Sequence, residues 1–302
     1  MKSCRFAPFV AFILSTHVLS AHAQVAGVDH VVIVGVDGLS PDGVRKAETP
    51  VLHRLMRAGA WTLHARGVMP TSSSPNWASM IMGAGPEQHG VTSNDWQPDR
   101  FEIAPVAVGP GGIFPTIFSV LKQQRPNARL ACFHDWDGFG RLVERAFLDR
   151  LEDADGPQAA VDLAVAYFRQ ARAQLTFIHL DHVDHAGHQQ GHGTPDYYQA
   201  VAEADRLVGR VIEGLKEASM WDRTILLITA DHGGKGKKHG GATMEEIEIP
   251  WILHGPGVAA GREISAPVNT YDTAATVAAI FGVTPPDCWI GRPVRAAFAT
   301  PR

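Results

Sequence analysis

The sequence predicts an α/β domain built on a largely parallel sheet. Two observations carry that expectation. Apolar runs of strand length alternate with amphipathic runs of helix length along most of the chain. Three of the strand candidates end in acidic residues, and in open α/β sheets ligands bind at the carboxyl ends of the strands. With 302 residues, 45% of them hydrophobic, there is enough apolar side chain for one large core.

Taken in order, Val28 to Val36 is a continuous apolar strand candidate that ends in Asp37-Gly38. Pro50 to Ala58 reads as a helix with Val51, Leu52, Leu55 and Met56 on one face. Pro75 to Met82 reads as a second helix, preceded by a Ser run able to cap it. Further strands are expected at Arg129 to Phe133, Leu175 to Leu180, Thr224 to Thr229 and Ile249 to Leu253. Long helices are expected at Gly156 to Ala173 and Pro195 to Leu215, and a shorter one at Tyr271 to Phe281. The Pro/Gly-rich stretch Gln97 to Gly112 reads as a surface loop. There is no internal repeat or low-complexity linker, so residues 24–302 are expected to form one domain.

Residues 1–23 read as a targeting segment. Lys2 and Arg5 precede the apolar run Phe6 to Leu14, and Ala21-His22-Ala23 supplies a small-x-small site, so cleavage is expected before Gln24. The apolar run is short for a membrane anchor, and Cys4 has no lipobox context. The expected location is therefore secreted or periplasmic, with no membrane span after cleavage. There an oxidising environment allows Cys132 and Cys288 to pair. The net charge of −4, without a basic stripe, argues against binding of a nucleic-acid duplex. Oligomeric state is not legible.

The chemistry-bearing residues fall in three clusters. In Thr229-Ala230-Asp231-His232-Gly233-Gly234, an Asp-His pair follows a strand, and His239-Gly240-Gly241 comes seven residues on, across a Gly/Lys-rich loop. In Asp181-His182-Val183-Asp184-His185-Ala186-Gly187-His188, two Asp/His pairs share a four-residue spacing: Asp181 with His185, and Asp184 with His188. Either pair would share a helix face, and spacing does not choose between them. The third is Asp37 in Val36-Asp37-Gly38. Each cluster has a plainer reading, as a strand-ending turn or a solvated His-rich loop. Together they supply the mixed carboxylate and imidazole donors that suit zinc or manganese.

These residues resemble the alkaline phosphatase superfamily, and within it the type I phosphodiesterase/nucleotide pyrophosphatase branch. The resemblance runs from about Val31 to Val258. Its segments are Val36-Asp37-Gly38, Pro70-Thr71-Ser72-Ser73-Ser74-Pro75-Asn76, Asp184-His185-Ala186-Gly187-His188 and Asp231-His232-Gly233 with His239-Gly240, in the family's order. It implies a three-layer α/β/α sandwich of the alkaline phosphatase type and a hydrolase of phosphodiester or pyrophosphate bonds in small phosphate esters. It implies two divalent ions, zinc first and manganese as the alternative. The family's Asp-x-x-Gly-His signature fits Asp184 to His188, so one ion would take Asp184, His188 and His239. The other would take Asp37, Asp231 and His232, with Ser73 as nucleophile between them. Asp181, His182 and His185 would then lie outside both donor sets. Asn94 matches a family residue that hydrogen-bonds the phosphate, and the Ser73 or Ser74 N–H would share its charge.

Departures from the family pattern bear on substrate. The aromatic residue that follows the nucleophile in nucleotide-cleaving relatives is Ser74 here, and a second, just before the Asp-x-x-Gly-His motif, is missing near His179. Trp77 and Trp96 remain as alternative apolar walls. The short spacing from His232 to His239 suggests an open site. The sulfatase branch is the nearest alternative: Ser73-Ser74-Pro75-Asn76 follows its Cys/Ser-x-Pro-x-Arg frame, but Trp77 replaces the Arg. A phosphomonoesterase of the same superfamily is a further alternative. A non-catalytic metal-binding protein using His182 to His192 is a reading from a different class. A serine hydrolase lacks its Gly-x-Ser-x-Gly elbow.

Overall fold

The computed structural model describes residues 24–299. The expected signal segment, with Cys4, lies outside them. Eight strands form one sheet: β1 (His30–Val36), β2 (Ala60–Arg66), β3 (Leu130–His134), β4 (Arg150–Asp153), β5 (Leu175–Leu180), β6 (Thr224–Thr229), β7 (Glu248–His254) and β8 (Arg262–Glu263). The helices are α1 (Pro41–Lys46), α2 (Pro50–Ala58), α3 (Ser73–Met82), α4 (Pro86–His89), α5 (Ile117–Gln124), α6 (Asp137–Gly140), α7 (Pro157–Ala171), α8 (His182–Gln190), α9 (Pro195–Glu217), α10 (Met244–Ile247) and α11 (Asp272–Phe281).

The strand order is β4-β3-β5-β1-β6-β7-β2-β8. β1 lies parallel between β5 and β6, with Gly35 opposite both His179 and Thr229. Only β7 runs against its neighbours β6 and β2. β1, β3, β5 and β6 are buried along their whole lengths, because a parallel sheet is covered on both faces. Helices α2, α7 and α9 pack together on one face, and α3, α5 and α11 on the other. The fold is a mostly parallel α/β sandwich of the alkaline phosphatase type, as the resemblance implied.

The elements unread in the sequence include the edge strands β4 and β8, the strand β2, the helices α1 and α5, and the single-turn helices α4, α6 and α10. β4 and β8 are short and largely exposed, so no apolar run marks them. β2 breaks its alternation where its register with β7 shifts between Thr62 and Ala65. Among the described residues, no helix is long and apolar enough to cross a membrane. Among the described residues, Cys132, buried in β3, and Cys288 form no disulfide with each other.

Candidate functional site

Four adjacent strands, β3, β5, β1 and β6, each deliver an aspartate at or just past the carboxyl edge: Asp135, Asp181, Asp37 and Asp231. The strands stop there because Gly38, at φ +68°, and the loop after Asp231 turn the chain away. A Cβ on Gly38 would lie 2.8 Å from the Asp184 backbone, so glycine lets α8 come close. Asp184 and His188 stand one turn apart on α8, their side chains 3.2 Å apart. His185 is exposed, and His182 turns its Nε2 to Ala200 O. Asp181 N–H donates to Asp135 Oδ1. None of these three joins the cluster.

Two overlapping donor groups result: Asp184, His188 and His239, and Asp37, Asp184 and His232. Asp231 adjoins the second, with Oδ2 3.2 Å from His232 Nε2, and Asp37 Oδ1 lies 3.4 Å from the same nitrogen. The two groups meet where the His232 and His239 rings stack, with centroids 3.8 Å apart.

Whether a cation fits can be read from the donors. His188, His232 and His239 each turn Nδ1 to a backbone carbonyl, of Lys237, Gly233 and Thr71 respectively. That fixes the proton on Nδ1 and leaves the Nε2 lone pair for the cluster. The aspartates divide their oxygens in a similar way. Asp37 Oδ2 accepts from Trp77 Nε1 at 3.0 Å and faces His179 Nε2 at 3.3 Å. Asp231 Oδ1 accepts from Gly38 N–H at 3.2 Å. Their other oxygens, Asp37 Oδ1 and Asp231 Oδ2, are buried without a hydrogen-bond partner among the described residues. Buried, unpaired carboxylate oxygens facing bare imidazole nitrogens suit a divalent cation.

The charges point the same way. Burial, then the charge of Asp231, pushes Asp37 up to about 7. Burial, then the charge of Asp184, pushes Asp231 up to about 8. Burial works to raise Asp184, but its hydrogen bond to His188 and the nearby imidazoles hold it below the usual carboxylate range. The bond to Asp184 lifts His188 to about 9, while burial lowers His239 to about 4.

Ser73 is the first residue of α3, buried, with Oγ 3.3 Å from His232 Nε2. The helix begins at Ser73, two residues earlier than the Pro75 expected. Its first-turn amides are nearly all accounted for. Asn76 N–H bonds to Ser72 O, and Pro75 has none. Ser74 N–H donates to Asn94 Oδ1 at 2.8 Å. This corrects the expectation for Ser74, whose N–H is engaged. Ser73 N–H is left to face a ligand, and the Asn94 amide is oriented with its NH2 free to donate.

Asn76 holds the preceding loop, accepting from Val68 N–H and donating to Pro70 O and Ser72 O. Thr71 ties that loop to the third histidine: its Oγ1 donates to Gly241 O and accepts from Gly240 N–H. Trp77 is a correction too. It is fully buried beneath Asp37 and walls no substrate, whereas Trp96, largely buried, borders a surface cavity with Thr92, Ser93 and Phe101.

Sequence reading missed His179, Asp135 and Arg141. The His179 ring lies between Asp37 and Asp135, which together overcome the effect of burial and raise it to about 10. A lone His in the apolar run Leu175–Leu180 was the available signal. Asp135 repeats the strand-end pattern one strand over. Arg141 donates to Asn94 O and lies over Trp136; nothing in its sequence context marks it.

The family model for "Type I phosphodiesterase / nucleotide pyrophosphatase" matches residues 31–109 and 112–247. The human protein "Ectonucleotide pyrophosphatase/phosphodiesterase family member 5" is 23% identical over 211 residues, covering 67% of this chain and 44% of that protein. The chain spans less than half the length of the curated relatives it first matches. The structure resembles an inactive variant of murine ectonucleotide pyrophosphatase/phosphodiesterase 5 solved in complex with AMP. The TM-score is 0.73 at 16% identity, over 85% of this chain and 96% of that one. It equally resembles a 2-O GAG sulfatase, with a TM-score of 0.73 at 16% identity, over 89% of this chain and 74% of that one.

Proposed function

The chain belongs to the type I phosphodiesterase/nucleotide pyrophosphatase family, and on that premise we propose that it is an exported, metal-dependent hydrolase of small phosphate esters with Ser73 as nucleophile. One observation carries the reading. Ser73 Oγ, at a helix N-terminus, and the unpaired oxygens of Asp37 and Asp231 all converge on His232 Nε2.

Two divalent ions, one on Asp37, Asp231 and His232 and one on Asp184, His188 and His239, would lower the pKa of a nearby hydroxyl or water and offset phosphate charge. Zinc fits this nitrogen and oxygen set best, with manganese second. The side-chain nitrogen within hydrogen-bond reach of Ser73 Oγ is His232 Nε2, but it belongs to the donor set and cannot also serve as base. Ser73 Oγ–H gives up its proton to water as the Oγ–P bond forms and the bond to the leaving oxygen breaks, and the leaving oxygen takes a proton from water in turn. Water then cleaves the phosphoserine and restores Ser73. Ser73 N–H and the Asn94 NH2 donate to non-bridging oxygens, helped by the positive end of α3.

A nucleotide is bound by the murine relative, but this site gives a base little to stack on. Ser74 and His179 occupy the two aromatic positions, both buried. The sulfatase likeness keeps sulfate esters as a second reading. Against it, Trp77 stands in the arginine position of that frame and supports Asp37 from the core.

Zinc-loaded protein assayed on bis-p-nitrophenyl phosphate, p-nitrophenyl phosphate and p-nitrophenyl sulfate separates these readings. Phosphate ester turnover is expected; metal uptake with no turnover on any of the three would favour a metal-binding protein. Export predicts a mature chain beginning at Gln24, readable by mass spectrometry of protein from the secreted or periplasmic fraction.

A further inference from the structure

His192 lies in the His-rich stretch and has no part in the reaction above. Its side chain is only 4% exposed, and neither ring nitrogen has a hydrogen-bond partner among the described residues. Nε2 faces Asp184 Oδ1 from 3.7 Å, and that oxygen is likewise buried without a partner. Two glycines from separate segments clear the space for the ring. A Cβ on Gly187 of α8 would lie 2.3 Å from Nε2, and one on Gly234, just past His232, 2.2 Å. The backbone of His192 is fixed by its N–H to Gly236 O, and the ring packs against Tyr197.

The other two aspartates show what such a residue does. Asp37 and Asp231 each have one oxygen held by a protein donor and the other turned to the cluster. Asp184 turns Oδ2 to His188 and His239, at 3.2 and 3.8 Å. Its Oδ1 has no such holder unless His192 supplies it; on another side Gly38 approaches too closely to admit even a Cβ. We propose that His192 is a positioning residue that donates Nε2–H to Asp184 Oδ1 and so aims Oδ2 at the cation taken by Asp184, His188 and His239. The inference rests on the metal-dependent reading above. A small closing of the 3.7 Å gap makes the bond and satisfies two buried polar groups at once. Carboxylate ligands are commonly held by such a hydrogen bond, whose loss weakens the ion's binding.

Zinc titrated calorimetrically into chelator-stripped wild type, His192→Phe and His192→Gln tests this. The thermal midpoint of each stripped protein reports packing alone. His192→Phe is expected to bind one ion as wild type does and the other about 10- to 100-fold more weakly. His192→Gln, which keeps a donor, is expected to recover most of that loss. If Phe does not fold, His192→Leu takes its place. Wild-type affinity for both ions in the apolar variant would overturn the role of His192 and leave the metal reading standing, as would a Gln variant no better than the apolar one. A wild-type protein that takes up no zinc would overturn the metal reading, and this inference with it.

Discussion

Nε2 of His188 and Nε2 of His239 lie 3.1 Å apart, although each ring turns its Nδ1 to a backbone carbonyl. Two imidazole lone pairs aimed at each other repel unless a cation stands between them. The hydrogen bond to Asp184 lifts His188 to about 9 while burial lowers His239 to about 4, so of the two rings it is His188 that favours a proton when no metal is bound.

Metal therefore competes with that proton. Below about pH 9, zinc binding should release a proton from His188, and toward the lower end of the range protons from Asp231 and Asp37 as well, so affinity should rise with pH by up to about tenfold per unit for each displaced proton. Calorimetric titrations between pH 6.5 and 8.5, in buffers of different ionisation enthalpy, count the protons. A pH-independent affinity with no proton release would contradict the pairing.

The stability of the stripped protein should fall as pH rises from 7 to 9. In this window Asp231, with a folded value of about 8 against 3.8, and His188, about 9 against 6.5, hold protons in the folded state that the unfolded chain has lost. The folded state then binds more protons, so stability drops with pH. The histidines lowered by burial are neutral in both states here and add no opposing slope. Thermal midpoints at pH 7 and 9, with chelator and with zinc, should show the decline only with chelator.

Ser73→Ala should lower kcat by at least about 1,000-fold. Zinc content by elemental analysis should be unchanged, because the Asp and His donors stay in place. Full activity in this variant would remove Ser73 from its proposed role.

His179→Phe should destabilise the stripped protein by about 3–5 kcal/mol, since it strips two buried carboxylates, Asp37 and Asp135, of their shared imidazolium. Urea unfolding measures this. A change below about 1 kcal/mol would mean that the pair is not held as an ion cluster.

Asn94→Ala should reduce kcat/KM on phosphate esters by about 100-fold through the lost donor. It also frees Ser74 N–H, so the loss should be partial, with Michaelis parameters separating binding from turnover.

Much of the fold was legible because buried parallel strands are written as continuous apolar runs. β5 and β6 were bounded correctly from sequence, and so was α2. The edge strands β4 and β8 were not, since exposed edges carry no such signal. The candidate donors Asp37, Asp184, His188, Asp231 and His232 were legible because they sit at strand ends or on one helical turn, whereas His239 lies in a loop and only its Gly-rich surroundings marked it. Asp184 and Asp181 have identical spacing to a histidine; the resemblance picks Asp184 through Gly187, and the path of α8 from β5 carries Asp184 to His188 and His239 while leaving Asp181 outside.

By itself the sequence determined which Asp and His residues are candidate cation donors and their order along the chain. Only the tertiary structure decided what orients them: Thr71 O on His239, Trp77 and His179 under Asp37, Asn94 on Ser74 N–H, and His192 beside Asp184. Several of these contacts join residues far apart in the chain. They exist because β5, β1 and β6 lie side by side in the sheet, and strand order is a property of long-range packing that no local spacing encodes.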